Sequence, residues 1–174
     1  MGVIINLGNK EIEKEGDFMK MQRTAVLVKP DGMQRGLIGE IMNRFERKGL
    51  KLVGMKMIQM TDEMLSAWYV EHKDKSFFGD LKSFMGSMPI VAMVWEGIDS
   101  IPVVRGLVGT TLGREAEAGS IRGDFSMSQQ FNLIHASANP EDAAREVEII
   151  FDEAELFGYE SAADIVIYAD DELA

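Results

Sequence analysis

Four short apolar segments of strand length, separated by segments with helical periodicity, constrain the fold of this chain more than any other feature. They are RTAVLVK (23–29), LKLVGMKMIQM (50–60), PIVAMVWEG (89–97) and NLIHAS (132–137). Apolar runs of this length next to Gly, Pro or Asn are typical of buried strands. The alternation of strand and helix therefore predicts an α+β fold, with four strands in one sheet and helices packed on one face of it.

The helical segments have recognisable ends. Apolar side chains recur at helical spacing over residues 37–49, and this helix is expected to end at Gly49 as its C-cap. Thr61 is a typical N-cap for a second helix, and Asn139 followed by Pro140 predicts the start of the last one. Shorter helices are predicted in FFGDLKSFMG and SIPVVRGLVG, whereas the KPDG stretch is a turn signal.

Composition indicates one compact domain and fits a reducing compartment without establishing it. The chain has 174 residues, of which 46% are hydrophobic and 27% charged, and it contains no cysteine. Disulfides, thiolate nucleophiles and Cys-based zinc sites are thereby excluded. No apolar stretch approaches the roughly 20 residues that span a bilayer, and the N-terminal residues lack a secretory signal pattern. We expect a cytoplasmic protein with no membrane partner.

The formal net charge of −11 is concentrated at the C-terminal end. Residues 141–174 hold twelve acidic side chains and one basic side chain, which leaves the rest of the chain neutral. This pattern makes nucleic acid an unexpected primary partner, because duplex binding requires many cationic contacts to phosphates. We divide the chain into a flexible N-terminal extension (1–20), a folded domain (21–160) and an acidic C-terminal tail (161–174).

Taken singly, the residues with chemical potential have ordinary explanations. His135 lies in an apolar strand, where a histidine is most often a packed and hydrogen-bonded side chain, and His72 lies in a charged stretch. Neither of the familiar glycine-rich phosphate-binding motifs occurs. Lys29, Arg105 and Arg122 are each compatible with a solvated surface charge.

Taken together, four segments resemble one family closely. VKPDGMQRGLIGEIMNRFERKGLKLVGMKM, PIVAMVWEG, GSIRGDF and NLIHAS are similar to the signature segments of nucleoside diphosphate kinases, and the resemblance runs from about Arg23 to about Phe157. It implies a ferredoxin-like βαββαβ sandwich, with a four-stranded antiparallel sheet and helices packed on it. This agrees with the order of elements predicted above.

The resemblance implies a catalytic role for five residues. His135 falls on the histidine that becomes phosphorylated, and imidazole is suited to this because it is largely neutral and nucleophilic near pH 7. Glu146 matches the carboxylate that orients the imidazole, and Ser137 matches a supporting hydroxyl. Lys29 would contact the transferred phosphate and the sugar, and Tyr69 would lie beside the histidine.

The resemblance also implies a nucleotide site. Arg105, Thr111 and Arg122 would hold the outer phosphates, Asn132 would reach the ribose, and Phe77 would stack on any base. Protein side chains would bind no metal, because Mg²⁺ would arrive on the nucleotide phosphates. The expected reaction is a ping-pong transfer from a nucleoside triphosphate to a diphosphate, in a homo-oligomer that is a hexamer or smaller.

Several positions depart from the family pattern. Leu112 and Gly113 replace Asn-Pro in a loop that takes part in the family's subunit contacts, and Ala118 replaces a proline. Phe131 replaces an arginine, and alanines flank Ser137. None of these changes removes a residue assigned to chemistry, but they keep open an alternative function, a non-catalytic nucleotide-binding homologue that acts as a scaffold.

Overall fold

The computed structural model describes residues 21–172, apart from the side chain of Ile165. One antiparallel sheet has the strand order β2-β3-β1-β4. Its strands are β1 Met21–Val28, β2 Lys51–Ile58, β3 Ile90–Ile98 and β4 Ile134–Ala136. The flexible extension predicted for residues 1–20 lies outside the described residues.

Eight α-helices connect and cover these strands within the described range. They are α1 Pro30–Gln34, α2 Ile38–Lys48, α3 Asp62–Trp68, α4 Phe78–Met85, α5 Ser100–Val108, α6 Ile121–Phe125, α7 Pro140–Ile150 and α8 Asp164–Ile167. None of the helices in this part of the chain has the length and apolar character needed to cross a bilayer.

The predicted helix ends agree with the caps in the structure. Gly49 closes α2 in the left-handed conformation at φ 97°, which a glycine adopts without steric cost. The Thr61 side chain accepts a hydrogen bond from the backbone N–H of Met64, and the Asn139 side chain accepts one from Asp142. These bonds satisfy N–H groups that have no partner inside the helix.

Helices pack on both faces of the sheet, so the expectation that they cover one face was wrong. Val26 and Val28 of β1 belong to one buried cluster, whereas Ala25 and Leu27 belong to another. The first cluster includes residues of α2 and α5, and the second includes residues of α3, α4 and α7. Because successive side chains of a strand point to opposite faces, β1 is buried on both sides.

Two further local predictions were wrong. The KPDG stretch is not only a turn, because Pro30 begins the short helix α1. The fourth strand is shorter than NLIHAS and holds three residues. Leu133, directly before β4, has a φ of 72°, which is unusual for a residue with a branched side chain.

Part of the predicted acidic tail is ordered against the sheet. The Tyr168 hydroxyl accepts a hydrogen bond from the backbone N–H of Ile98 at 3.2 Å, at the end of β3. Upstream, the backbone N–H of Phe157 donates to the carbonyl of Val53 at 2.8 Å. The segment after α7 therefore runs beside the edge strand β2.

Candidate active site

His135 lies on β4 and faces the side of the sheet that α3 and α7 cover. Its neighbours Ile134 and Ala136 pack into the opposite cluster, so strand alternation directs the imidazole toward α7. In the sheet register His135 pairs with Leu27. The Trp68 ring at the end of α3 meets the imidazole edge-on, with 5.1 Å between ring centroids. The His135 side chain remains 25% exposed, which leaves it open to a ligand.

A buried carboxylate fixes one nitrogen of this imidazole. His135 Nε2 lies 2.9 Å from Glu146 Oε2. Glu146 is almost fully buried on α7 and also accepts a hydrogen bond from the Ser137 hydroxyl at 2.8 Å. The Ser137 oxygen in turn accepts from the backbone N–H of Ala25 at 3.0 Å, which ties the carboxylate to β1. The proton that this contact requires lies on Nε2, so Nδ1 carries the lone pair.

Lys29 follows β1 directly and is buried. Its ammonium group donates to the carbonyl of Gln130 and to Oδ1 of Asn132, both at 2.8 Å. Burial lowers the pKa of Lys29 to about 8, although the charge of Asp31 opposes this shift and that of Arg122 adds to it. The side chain is therefore a cation at neutral pH that titrates far more readily than an ordinary lysine.

The side-chain amide of Asn132 is hydrogen-bonded through both its nitrogen and its oxygen. Its amide nitrogen donates to the carbonyls of Thr111 and Gln129 at 2.8 Å, and its oxygen accepts from Lys29. These bonds join the loop after α5 to the segment before β4. Asn132 is only 3% exposed, so its contact with a ribose stays a prediction.

Arg122 on α6 is buried among backbone carbonyls. Its guanidinium donates to the carbonyls of Ile134 at 2.7 Å, Gly109 at 2.9 Å and Asn132 at 3.3 Å. Burial, together with the charge of Arg105, lowers the pKa of Arg122 to about 10, although the charge of Asp31 opposes this shift. Two N–H bonds of the fork remain for an anion, because the guanidinium has five in total.

Arg105 and Thr111 are exposed near these buried groups. Arg105 lies in the last turn of α5, and its charge acts on Arg122, so the two cations share one region. Thr111 contributes its backbone carbonyl to Asn132, and its side chain is free to turn to solvent. The predicted phosphate-binding residues are thus gathered around the loop between α5 and α6.

An aromatic stack connects Tyr69 with Phe77. The Tyr69 ring is stacked on His72 at a centroid distance of 6.2 Å, and His72 contacts Phe77 at 5.6 Å. Burial and the nearby charge of Glu146 raise the pKa of Tyr69, so its phenol stays protonated. Phe77 is 49% exposed and presents a free surface. His72, which had no role in the sequence analysis, lies between two predicted site residues.

Phe131, one of the departures from the family pattern, packs at the same site. Its ring meets that of Phe84 edge-on at 4.9 Å, and the Lys29 ammonium lies 5.4 Å from the Phe84 ring centroid. Phe131 is 52% exposed. An apolar surface therefore adjoins the buried lysine at the position where the resemblance led us to expect an arginine.

Asp31 and Gly32 belong to the site but were not assigned to it from the sequence. An Asp31 oxygen accepts from the backbone N–H of Leu133 at 2.9 Å, and the backbone N–H of Lys29 donates to the Leu133 carbonyl at 2.9 Å. A Cβ atom on Gly32 would lie 2.7 Å from that carbonyl oxygen, so glycine is required. The available signal was an acidic residue and a glycine directly after a strand that ends in lysine.

The charges of the site fit a metal that arrives with a ligand. No group of three His, Cys, Asp or Glu side chains within residues 21–172 is arranged to hold a metal ion. The residues near His135 offer two buried cations, Lys29 and Arg122, which favour phosphate oxygens. Mg²⁺ prefers waters and phosphate oxygens, so these residues fit a nucleotide-bound ion.

Comparison with known proteins identifies the family. A family model described as nucleoside diphosphate kinase matches residues 22–156. A relative of that name from Parabacteroides distasonis is 51% identical over 152 residues, which cover 87% of this chain and 99% of the relative. Another from Staphylothermus marinus is 51% identical over 141 residues, which cover 81% of this chain and 100% of the relative.

Solved structures agree. A nucleoside diphosphate kinase family protein from Babesia bovis has a TM-score of 0.83 and 48% identity, covering 84% of this chain and 99% of that chain. A halophilic nucleoside diphosphate kinase from Halobacterium salinarum in complex with CDP has a TM-score of 0.83 and 46% identity, covering 86% of this chain and 100% of that chain. These matches confirm the ferredoxin-like sandwich.

Matches of this extent place the chain among the phosphotransferases. It belongs to the nucleoside diphosphate kinase family, and its enzyme class is that of the family.

Proposed function

We propose that this enzyme transfers the terminal phosphoryl group of a nucleoside triphosphate to a nucleoside diphosphate through a phosphohistidine at His135. One observation supports this most directly: Glu146 holds Nε2 of the partly exposed histidine, and the buried cations Lys29 and Arg122 bind Asn132 and Ile134 of the segment that leads to it. Within residues 21–172, Nδ1 has no hydrogen-bond partner, so it is the nitrogen available for attack. The family membership supplies the substrate class, and the CDP complex of the Halobacterium salinarum protein supports a nucleotide ligand.

The two half-reactions use the same nitrogen. In the first, the Nδ1 lone pair forms a bond to the γ-phosphorus while the bond from phosphorus to the β–γ bridging oxygen breaks, and the nucleoside diphosphate leaves. The proton on Nε2 stays in place, and the resulting imidazolium is stabilised by the Glu146 carboxylate. In the second, a terminal phosphate oxygen of another diphosphate attacks, and the nitrogen–phosphorus bond breaks. The electron pair returns to Nδ1, so the enzyme is regenerated.

The cations lower the barrier by electrostatics. Charge in phosphoryl transfer is spread over the phosphate oxygens, and positively charged groups fixed in advance stabilise it without reorganisation. Lys29 and Arg122 are fixed by carbonyl and amide partners, whereas Arg105 is exposed and free to follow the outer phosphates. When bound, nucleotide-borne Mg²⁺ neutralises part of the phosphate charge.

Base tolerance follows from how the base is held. Phe77 offers a half-exposed ring, and stacking on a ring reads no hydrogen-bond edge of the base. We therefore assign broad use of nucleoside triphosphates and diphosphates to this site. Binding of the ribose by Asn132 and a homo-oligomer of up to six chains stay predictions of the resemblance. A cytoplasmic location and the domain boundaries stay predictions from composition and sequence pattern.

The test is to isolate the first half-reaction. Incubation with ATP and Mg²⁺ but no acceptor should place one acid-labile, base-stable phosphoryl group on His135, and GDP, CDP or UDP should remove it. His135→Ala should prevent labelling, whereas His72→Ala, which changes the chain's other histidine, should still be labelled at His135. If the wild-type enzyme binds ATP yet never acquires this phosphate, the scaffold function is correct instead.

A further inference from the structure

The Asp31 side chain binds the backbone that leads to His135, and its charge acts on the buried cations Lys29 and Arg122. One carboxylate oxygen holds the backbone of Leu133, two residues before His135, while the other is buried and has no hydrogen-bond partner in the described part of the chain. A buried carboxylate with a free oxygen is costly unless nearby cations compensate its charge. A carboxylate with one bound oxygen and one buried, unbonded oxygen suggests that Asp31 does more than stabilise the local backbone.

We infer that Asp31 is a positioning residue of phosphoryl transfer, which clamps the backbone that leads to His135 and places a negative charge near the buried cations Lys29 and Arg122. The inference rests on the proposed function. It adds to that function a residue that acts through Leu133 and not by direct contact with His135.

The clamp consists of two hydrogen bonds at Leu133 and of the space that Gly32 leaves for them. Its N–H donates to Asp31 and its carbonyl accepts from the backbone of Lys29, both at 2.9 Å, while Gly32 leaves room for that carbonyl. Leu133 has a φ of 72°, a conformation that persists only where the surroundings enforce it. Without the Asp31 contact, the residue could relax and shift the three-residue strand that carries His135.

The charge effect acts on Lys29 and Arg122. Asp31 is the anion whose charge raises the pKa of both, against the burial that lowers them. The other groups facing the Lys29 ammonium are neutral, namely the Gln130 carbonyl, the Asn132 amide and the Phe84 ring, and the other nearby charge is the Arg122 cation. Removing the Asp31 charge should therefore let Lys29 lose its proton at lower pH.

Two substitutions separate the clamp from the charge. Asp31→Asn keeps an oxygen that can accept from Leu133 but removes the charge, whereas Asp31→Ala removes both. Asp171→Asn, at an exposed position of the C-terminal segment, is the matched control for loss of one negative charge. The rate of His135 phosphorylation by saturating ATP is measured from pH 6.0 to 9.5 for each protein.

We expect Asp31→Asn to retain more of the wild-type rate at pH 6 than Asp31→Ala does, because it keeps an acceptor for Leu133 and Lys29 is protonated in each protein. Its alkaline loss of rate should begin about 1 pH unit lower than in the wild type. Asp31→Ala should show the same alkaline change and a further loss at pH 6 of about 10-fold or more, because a displaced nucleophile reacts slowly. Asp171→Asn should follow the wild-type profile throughout.

Two measurements decide the inference without activity. Titration of the Lys29 ε-carbon by ¹³C NMR, assigned with Lys29→Arg, should give a lower pKa in Asp31→Asn. Amide hydrogen exchange at Leu133 should accelerate in Asp31→Ala and stay slow in Asp31→Asn, and if the alanine variant does not fold, the asparagine variant alone tests the charge effect. An unchanged Lys29 pKa, or equal Leu133 protection in wild type and Asp31→Ala, overturns the inference. Failure of the wild type to form phosphohistidine overturns the proposed function instead.

Discussion

Glu146→Gln tests how much the buried carboxylate contributes to transfer. The substitution keeps the size of the side chain but removes the charge that faces Nε2 of His135 at 2.9 Å. A hydrogen bond to a charged group contributes about 1.5–3 kcal/mol. The imidazolium that forms on phosphorylation needs this charge more than the neutral ring does, so most of the loss should appear in the transition state.

That free energy corresponds to a rate about 10- to 150-fold lower for formation of the phosphohistidine. Rapid-quench measurement at several ATP concentrations should show the loss in the maximal rate, with little change in the concentration of ATP that gives half-maximal rate. Glu148→Gln is the matched control, because it removes an exposed carboxylate from the same helix. A Glu146→Gln rate within twofold of the wild type, or a loss confined to ATP binding, would refute the reasoning.

Three further predictions follow from other contacts. Burial lowers the pKa of Lys29 to about 8, so the charged form destabilises the folded protein below pH 8, and this destabilisation disappears as the pH rises toward 10.5, the pKa in the unfolded chain. In denaturant titrations, the stability of the wild type relative to Lys29→Met should therefore increase by up to about 3 kcal/mol between pH 7 and pH 10. Gly113→Ala would place a Cβ about 2.6 Å from the carbonyl carbon of Ser126 and should lower the melting temperature by several degrees, while Gly79→Ala, with open space around it, should not. Light scattering of the purified enzyme should give a closed oligomer of at most six chains, and a clean monomer at micromolar concentration would contradict that expectation.

The main elements of the fold followed from apolar periodicity and cap residues, but the burial of both sheet faces did not. The run IVAMVW in β3 has no alternation with polar residues, and this is the pattern of a strand covered on both sides. The helices between β2 and β3, α3 and α4, cover one face of this strand. Their packing depends on contacts of α3 and α4 with each other and with α7, which is distant from both in sequence.

The candidate site residues were assigned from a family resemblance, and their individual roles stay predictions. The resemblance could not indicate how Arg122 is held, because its partners are three backbone carbonyls whose positions exist only in the folded chain. It also could not indicate the left-handed conformation of Leu133, since leucine rarely adopts it. Contacts to backbone atoms are hard to predict from a sequence, because nearly every residue has the same backbone groups.

The brevity of β4 has a consequence for the motions of the enzyme. Three residues pair with β1 at the edge of the sheet, so few ladder hydrogen bonds protect the strand from local opening. Further hydrogen bonds restrain both ends of the strand. Before it, Leu133 donates to Asp31 and accepts from Lys29, and after it, Ser137 accepts from Ala25 of β1. Local motion of His135 should thus be governed by Lys29 and the start of α1, and the slowest-exchanging amides of this segment should lie at the two ends of β4.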